Sequence, residues 1–129
     1  MGTPPENLRY SEDHEWVRLE GDIATIGITD YAQEQLTDIV FVELPDVGSN
    51  VNAGDGVAVL ESVKSVADVY CPFNGEITEV NESLESHPEK VNEDAFGEGW
   101  IFKIKAREPN LSKLMDAAAY VKFTEEAGD

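Results

Sequence analysis

Short stretches in which apolar and polar residues alternate, punctuated by Gly, Pro, Asn and Asp, recur along this chain and predict a protein built of short β-strands. Trp16 to Leu19 and Ile23 to Ile28 read as a hairpin through Glu20-Gly21-Asp22. Thr29 or Asp30 can cap a helix reaching about Leu36, in which Tyr31 and Gln35, and Ala32 and Leu36, stand at helical spacing. Ile39 to Leu44 is a strand bounded by Pro45, and Asp46 to Asn50 is turn-rich before Val51 leads onward. Gly75 to Val80 resumes the strand pattern, with Ile77 on one face and Thr78 and Val80 on the other. Asn81 or Ser83 then begins helical turns around Leu84 and from Pro88 to Val91. After a loop at Phe96 to Gly99, Trp100 to Lys105 sets Ile101, Lys103 and Lys105 against Trp100, Phe102 and Ile104. Glu108 or Asn110 opens a last helical region, broken near Asp116, with Tyr120 and Phe123 three apart. The expected fold is mainly β, a sandwich or flattened barrel with short peripheral helices and a helical C-terminus. No linker divides residues 1–129, which read as one domain with a flexible lead-in at 1–7 and a helical segment at 108–126.

At the centre of this pattern, Val57 to Val63 and Val66 to Tyr70 meet at Val63-Lys64-Ser65-Val66, so a reversal there sets Lys64 at the tip of a hairpin. The expected turn dipeptide, Lys64-Ser65, lacks the Asn-Gly or Asp-Gly that usually marks a two-residue hairpin. Gly54 before it and Gly75 after it are each followed by an acid, Asp55 and Glu76, and then by a short apolar strand. This near mirror-image punctuation suggests two related half-units with the lysine between them.

Charge changes the picture. With 9 Lys and Arg against 27 Asp and Glu, a formal net charge of -18 argues against nucleic-acid or anionic-membrane binding and favours basic protein partners. Between Leu19 and Glu89 the sole Lys or Arg is Lys64. On composition alone, Lys64 is a solvated surface lysine of an acidic protein. The single cysteine, Cys71, has no partner for an internal disulfide and no Cys-x-x-Cys motif, which fits a reducing compartment. His14, His87 and Cys71 follow no zinc-ligand spacing, so no metal site is expected, and His14 beside Glu15 and Trp16 reads as structural. Gly54-Asp55-Gly56 lacks the rest of a dinucleotide fingerprint, and no nucleophile elbow occurs. The N-terminus has neither a secretory apolar core nor an Arg-rich transit pattern, giving an expectation of bacterial cytoplasm, or of mitochondrial matrix for a processed eukaryotic chain.

The stretch Glu-Ser-Val-Lys-Ser-Val at Glu61 to Val66, framed by Ala53 to Asp55 and by Asn74 to Asn81, resembles the lipoyl-attachment hairpin of the glycine cleavage system H protein family. Further matches occur in order: His14 to Trp16, Gly27 to Gln33, Val40 to Pro45, Val91 to Asp94, Gly97 to Trp100, and Asp-Ala-x-x-Tyr ending at Tyr120. They span Tyr10 to Phe123. The resemblance implies a barrel-sandwich of the lipoyl and biotinyl carrier type, with lipoic acid joined to Lys64 as an amide. It implies that Glu61, Val63, Ser65 and Gly75 present the attachment site, since a glutamate three residues before the lysine and a glycine eleven after it accompany lipoylation in the family. The implied task is to shuttle the aminomethyl group of glycine from a pyridoxal-phosphate glycine decarboxylase to a tetrahydrofolate-dependent aminomethyltransferase, then to be reoxidised by dihydrolipoamide dehydrogenase. A lipoyl-attaching enzyme is a further implied partner, and the loaded arm is expected to fold back into a surface cleft. This makes the chain a carrier and not an enzyme. Cys71, Phe73-Asn74 and Ala95-Phe96 depart from the family pattern. The alternative reading is a lipoate-relay protein donating lipoyl groups to other complexes. Lipoyl modules marked Asp-Lys-Ala and biotin carriers marked Met-Lys-Met fit less well, because Val63 and Ser65 match neither.

Overall fold

The structure, a computed structural model, describes residues 4–107 and 111–127. Among these, nine strands form two antiparallel sheets: β1 (Arg9–Tyr10), β2 (Glu15–Glu20), β3 (Ile23–Ile28), β4 (Ile39–Glu43), β5 (Asn50–Val51), β6 (Gly56–Ser62), β7 (Val66–Tyr70), β8 (Gly75–Val80) and β9 (Phe102–Ala106). The larger sheet runs β1-β2-β3-β9-β8-β5 and the smaller β4-β6-β7. They face each other as an open sandwich. Rows of paired residues supply the core, such as Leu19, Ala24, Ile104 and Ile77 across four strands of the larger sheet. From the smaller sheet, Val42, Ala58, Leu60 and Val69 close over them.

Around the sandwich lie α1 (Asp30–Leu36), α2 (Ser83–Ser86), α3 (Lys90–Glu93), a turn of 3-10 helix at Leu111–Lys113 and α4 (Ala117–Ala127). Thr29 caps α1 as expected, its hydroxyl accepting from the Ala32 N–H at 3.2 Å. The expected C-terminal helical opening at Glu108 or Asn110 lies outside the described residues. Asn92 fastens α1 to β4: it donates to the Thr37 carbonyl at 2.7 Å and accepts from the Ile39 N–H at 2.9 Å. Thr37 itself is strained, at φ 65° and ψ -148°, where glycine is the residue of choice, and its buried hydroxyl has no hydrogen-bond partner. A second apolar cluster, Leu8, Tyr10, Trp16, Ala117 and Tyr120, anchors α4 outside the larger sheet. Tyr10 and Tyr120 stack at 4.7 Å there, and Tyr10 donates to the Pro5 carbonyl. No helix among the described residues is long and apolar enough to cross a membrane.

Two face assignments differ from the alternation. A bulge between Ile77 and Glu79 adds one residue to β8, which returns Val80 to the side of Ile77, paired with Phe102 and packed on the core. Regular pairing of β9 starts at Phe102, so Ile101 is freed from the lysine face and is fully buried, while Trp100 joins the outer cluster. Strands β1 and β5, two residues each, are too short for a period of two to show. The glycine punctuation has two physical origins. Gly54 sits at φ 94°, open to glycine; a Cβ on Gly75 would stand 2.2 Å from the Lys105 carbonyl oxygen in the paired strand.

Candidate lysine-arm site

Strands β6 and β7 form the expected hairpin with Lys64 at its end. Glu61 pairs with Val66, and the Ser62 N–H donates to the Ser65 carbonyl at 2.8 Å, enclosing Val63-Lys64. The turn thus closes one residue earlier than Lys64-Ser65. Its cause is Ser62: the nearly buried hydroxyl accepts from the N–H groups of Lys64 at 3.3 Å and Ser65 at 3.0 Å. Neither Val63 nor Lys64 has positive φ, so the mirror-image turn that calls for Asn-Gly is not used. The third tip amide, that of Val63, donates to the Asp38 carbonyl at 3.2 Å. Three consecutive N–H groups are therefore satisfied within the fold, and the base of the lysine is fixed while its side chain is exposed. Among the described residues Lys64 makes no ion pair.

Val63 and Ser65 flank it in solvent, and Glu61 projects from the outer face of β6. Gly75 is not brought near them. It is buried at the start of β8, beyond the far end of β7, on the order of 17 Å or more down the hairpin.

Beside the hairpin, between β7 and α1, runs a groove of ≈ 360 Å³ whose walls include Leu36, Tyr31, Leu60, Ala67 and Asp68. His14 stands at its edge. At φ 67°, its Nδ1 meets the Tyr120 hydroxyl at 2.8 Å, and that hydroxyl also bonds Thr29 Oγ1 at 2.6 Å. Burial lowers the His14 pKa against the opposing pull of Asp13, and the bonds give the ring the structural part expected. Glu15 is 2% exposed and bridges the sheets: Oε1 accepts from Ser11 Oγ at 2.8 Å and Oε2 from the Tyr70 N–H at 2.8 Å. Burial pushes its carboxyl up to about 7 despite those bonds. Cys71 is buried, with Sγ 3.1 Å from the Phe73 carbonyl, and burial pushes its thiol up to about 11. No group of three or more His, Cys, Asp or Glu among the described residues is placed to hold a metal ion.

A family model for glycine cleavage H-protein matches residues 8–127. The chain belongs to the glycine cleavage H-protein family. It is 57% identical over 120 residues to the glycine cleavage system H protein of Parvibaculum lavamentivorans, covering 92% of this chain and 96% of that one. With that of Symbiobacterium thermophilum it shares 52% over 127 residues, covering 98% and 99%. The fold is similar to the crystal structure of a glycine cleavage system H protein from Mycobacterium marinum, with a TM-score of 0.85 at 33% identity, over 98% of this chain and 100% of that one. Family membership makes the chain a carrier protein of the glycine cleavage system, working with that system's enzymes.

Two residues that shape the site were not singled out from sequence. Ser62 had a readable signal, a serine just before a turn. Glu15 had none: one acid among 27 does not announce its burial.

Proposed function

We propose that Lys64 carries lipoic acid in amide linkage and that the chain is the shuttle serving the pyridoxal-phosphate glycine decarboxylase, the aminomethyltransferase and dihydrolipoamide dehydrogenase in turn. The observation that carries this reading is an exposed lysine, free of ion pairs among the described residues, on a tip whose three backbone donors are all satisfied. When bound, lipoic acid supplies a disulfide that takes up an aminomethyl group on opening and recloses on oxidation. The chain's own residues supply position. Ser62 and Asp38 hold the attachment point rigid, so a partner cleft receives an arm from a fixed base. Glu61, Val63 and Ser65 surround Lys64 and present it; Gly75 acts from a distance, by letting β8 pair closely with β9. An extended acylated lysine reaches about 14 Å from the backbone, and the Leu60 and Ala67 pair lies about 10 Å down the hairpin. Leu36, Tyr31, Leu60 and Ala67 would therefore hold the hydrocarbon chain between visits to partners and keep bulk water from its end.

The chain acts here as a carrier and not as an enzyme, its residues supplying position while the partner enzymes supply the chemistry. Lys64→Arg tests the reading. Arginine keeps charge and approximate length but forms no stable acyl amide. Wild type incubated with lipoate, ATP and a lipoyl-attaching enzyme should gain one lipoyl mass and support glycine-dependent NAD reduction with the partner enzymes. The variant should fold and do neither. A lipoyl mass on the variant refutes the site, and a lipoylated wild type that donates its lipoyl group but fails in glycine cleavage favours the relay reading.

A further inference from the structure

Among the described residues the exposed large apolar side chains are Val40, Phe41, Val47, Val63 and Val66. All but Val47 lie at the Lys64 end of the smaller sheet. Phe41 pairs with Glu61 and Glu61 with Val66, so one outward row across β4, β6 and β7 reads Phe41, Glu61, Val66. The next reads Glu43, Val59, Asp68. A β-bulge puts Val40 in excess between Ile39, which pairs with Ser62, and Phe41, and both Val40 and Phe41 stand in solvent. Single exposed apolar residues need no explanation, whereas four of them bordering one lysine do.

We propose that this face, with Phe41 as its anchor, is the docking surface for the enzyme that acylates Lys64. The inference rests on the reading of Lys64 as the lipoyl-attachment site. Reach decides which partner the face fits. An enzyme working on Lys64 Nζ must bring its reacting atoms within about 6 Å of the backbone, where it meets the row that holds Glu61. Enzymes working at the far end of a loaded arm, about 14 Å out, are free of that requirement. The composition of the face specifies its complement: an apolar pocket for Phe41 and Val66 rimmed by Lys or Arg for Glu43, Glu61 and Asp68. No cation other than Lys64 lies between Leu19 and Glu89 to oppose such a rim.

The transfer itself balances without Phe41. The Lys64 amine attacks the carbonyl of a lipoyl adenylate made from lipoate and ATP. A C–N bond forms, the bond to the AMP oxygen breaks, AMP leaves with the electron pair, and the nitrogen's surplus proton passes to solvent. Phe41 contributes to docking alone, so its loss should raise KM and leave kcat unchanged.

The test follows lipoyl mass on the apo chain against carrier concentration, with lipoate, ATP and a lipoate-protein ligase. Phe41→Ser should raise KM by about tenfold or more, from removal of a half-exposed phenyl ring from a docked surface. Phe41→Leu should stay within about threefold, and Val47→Ser, more exposed than Phe41 but beyond the opposite end of β4, should match wild type. Calorimetric titration of the ligase with each apo chain, without ATP, should weaken in the same order. A wild-type KM for Phe41→Ser, a loss confined to kcat, or an equal loss in Val47→Ser overturns the proposal while leaving attachment at Lys64 intact. Failure of wild type to gain lipoyl mass at Lys64 overturns the attachment reading instead.

Discussion

Replacing Glu15 with Gln should strip from the folding equilibrium a pH dependence that this one carboxyl imposes. The side chain is 2% exposed, and burial raises its pKa from 4.5 to about 7, with Asp13 adding to the rise and the Tyr70 and Ser11 hydrogen bonds opposing it. Between those two values the folded chain retains a proton that the unfolded chain has released. Stability therefore falls as pH rises through the window, and the loss is complete above about 7. At about 1.4 kcal/mol per pH unit, the interval amounts to about 3 kcal/mol. Gln keeps an oxygen to accept from the Tyr70 N–H, loses the acceptor for the Ser11 hydroxyl as an offset that is the same at every pH, and has no proton to lose. Urea unfolding of the apo chain from pH 5 to pH 8 measures it. The stability of Glu15→Gln relative to wild type should climb by about 3 kcal/mol across the window and then level off. Parallel stability curves refute the reasoning, because they would mean that the buried carboxyl does not titrate differently on folding.

Three further outcomes can be measured on the same footing. Thr37→Gly should raise stability by about 1 kcal/mol in urea unfolding, as relief of the positive φ and the unpaired hydroxyl exceeds the entropy of the added glycine. Ser62→Ala should cost about 1 kcal/mol and speed amide hydrogen exchange at Lys64 and Ser65, the two donors that lose their acceptor. Gly75→Ala should cost about 3 kcal/mol, since the added methyl is driven against the Lys105 carbonyl; the fraction that still folds should be lipoylated with wild-type kcat/KM, placing the effect in β8–β9 pairing and not in enzyme recognition.

The hairpin around Lys64 was legible because Val57 to Val63 and Val66 to Tyr70 are short Val-rich runs that meet at one polar break, and the Thr29 cap because its hydroxyl acts on the next turn of its own helix. What escaped was set by partners distant in sequence. The side of Val80 depends on a bulge against β9, and the burial of Ile101 on where pairing with β3 begins. The turn register depended on one hydroxyl, that of Ser62, competing with turn propensity. Glu15 owes its place to Tyr70, 55 residues away. The candidate site divides the same way: Lys64, Glu61, Val63 and Ser65 are gathered by local strand geometry, while Gly75 is separated from them by the whole length of β7.

With lipoic acid on Lys64 as proposed, the isolation of that lysine among carboxylates gives acylation a second effect. Forming the amide removes the one ammonium of the stretch from Leu19 to Glu89, and the formal net charge moves from -18 to one unit more negative. Before modification the hairpin end is a zwitterionic surface, with a cation set beside Glu61 and near Asp68; afterwards it is uniformly anionic. Apo and holo forms thus present different electrostatic faces to every later partner at the point of contact, where screening by salt is weakest. A basic surface is attracted to the holo form by its acids and no longer repelled by the lysine, so discrimination against the empty carrier begins before any arm has entered a cleft.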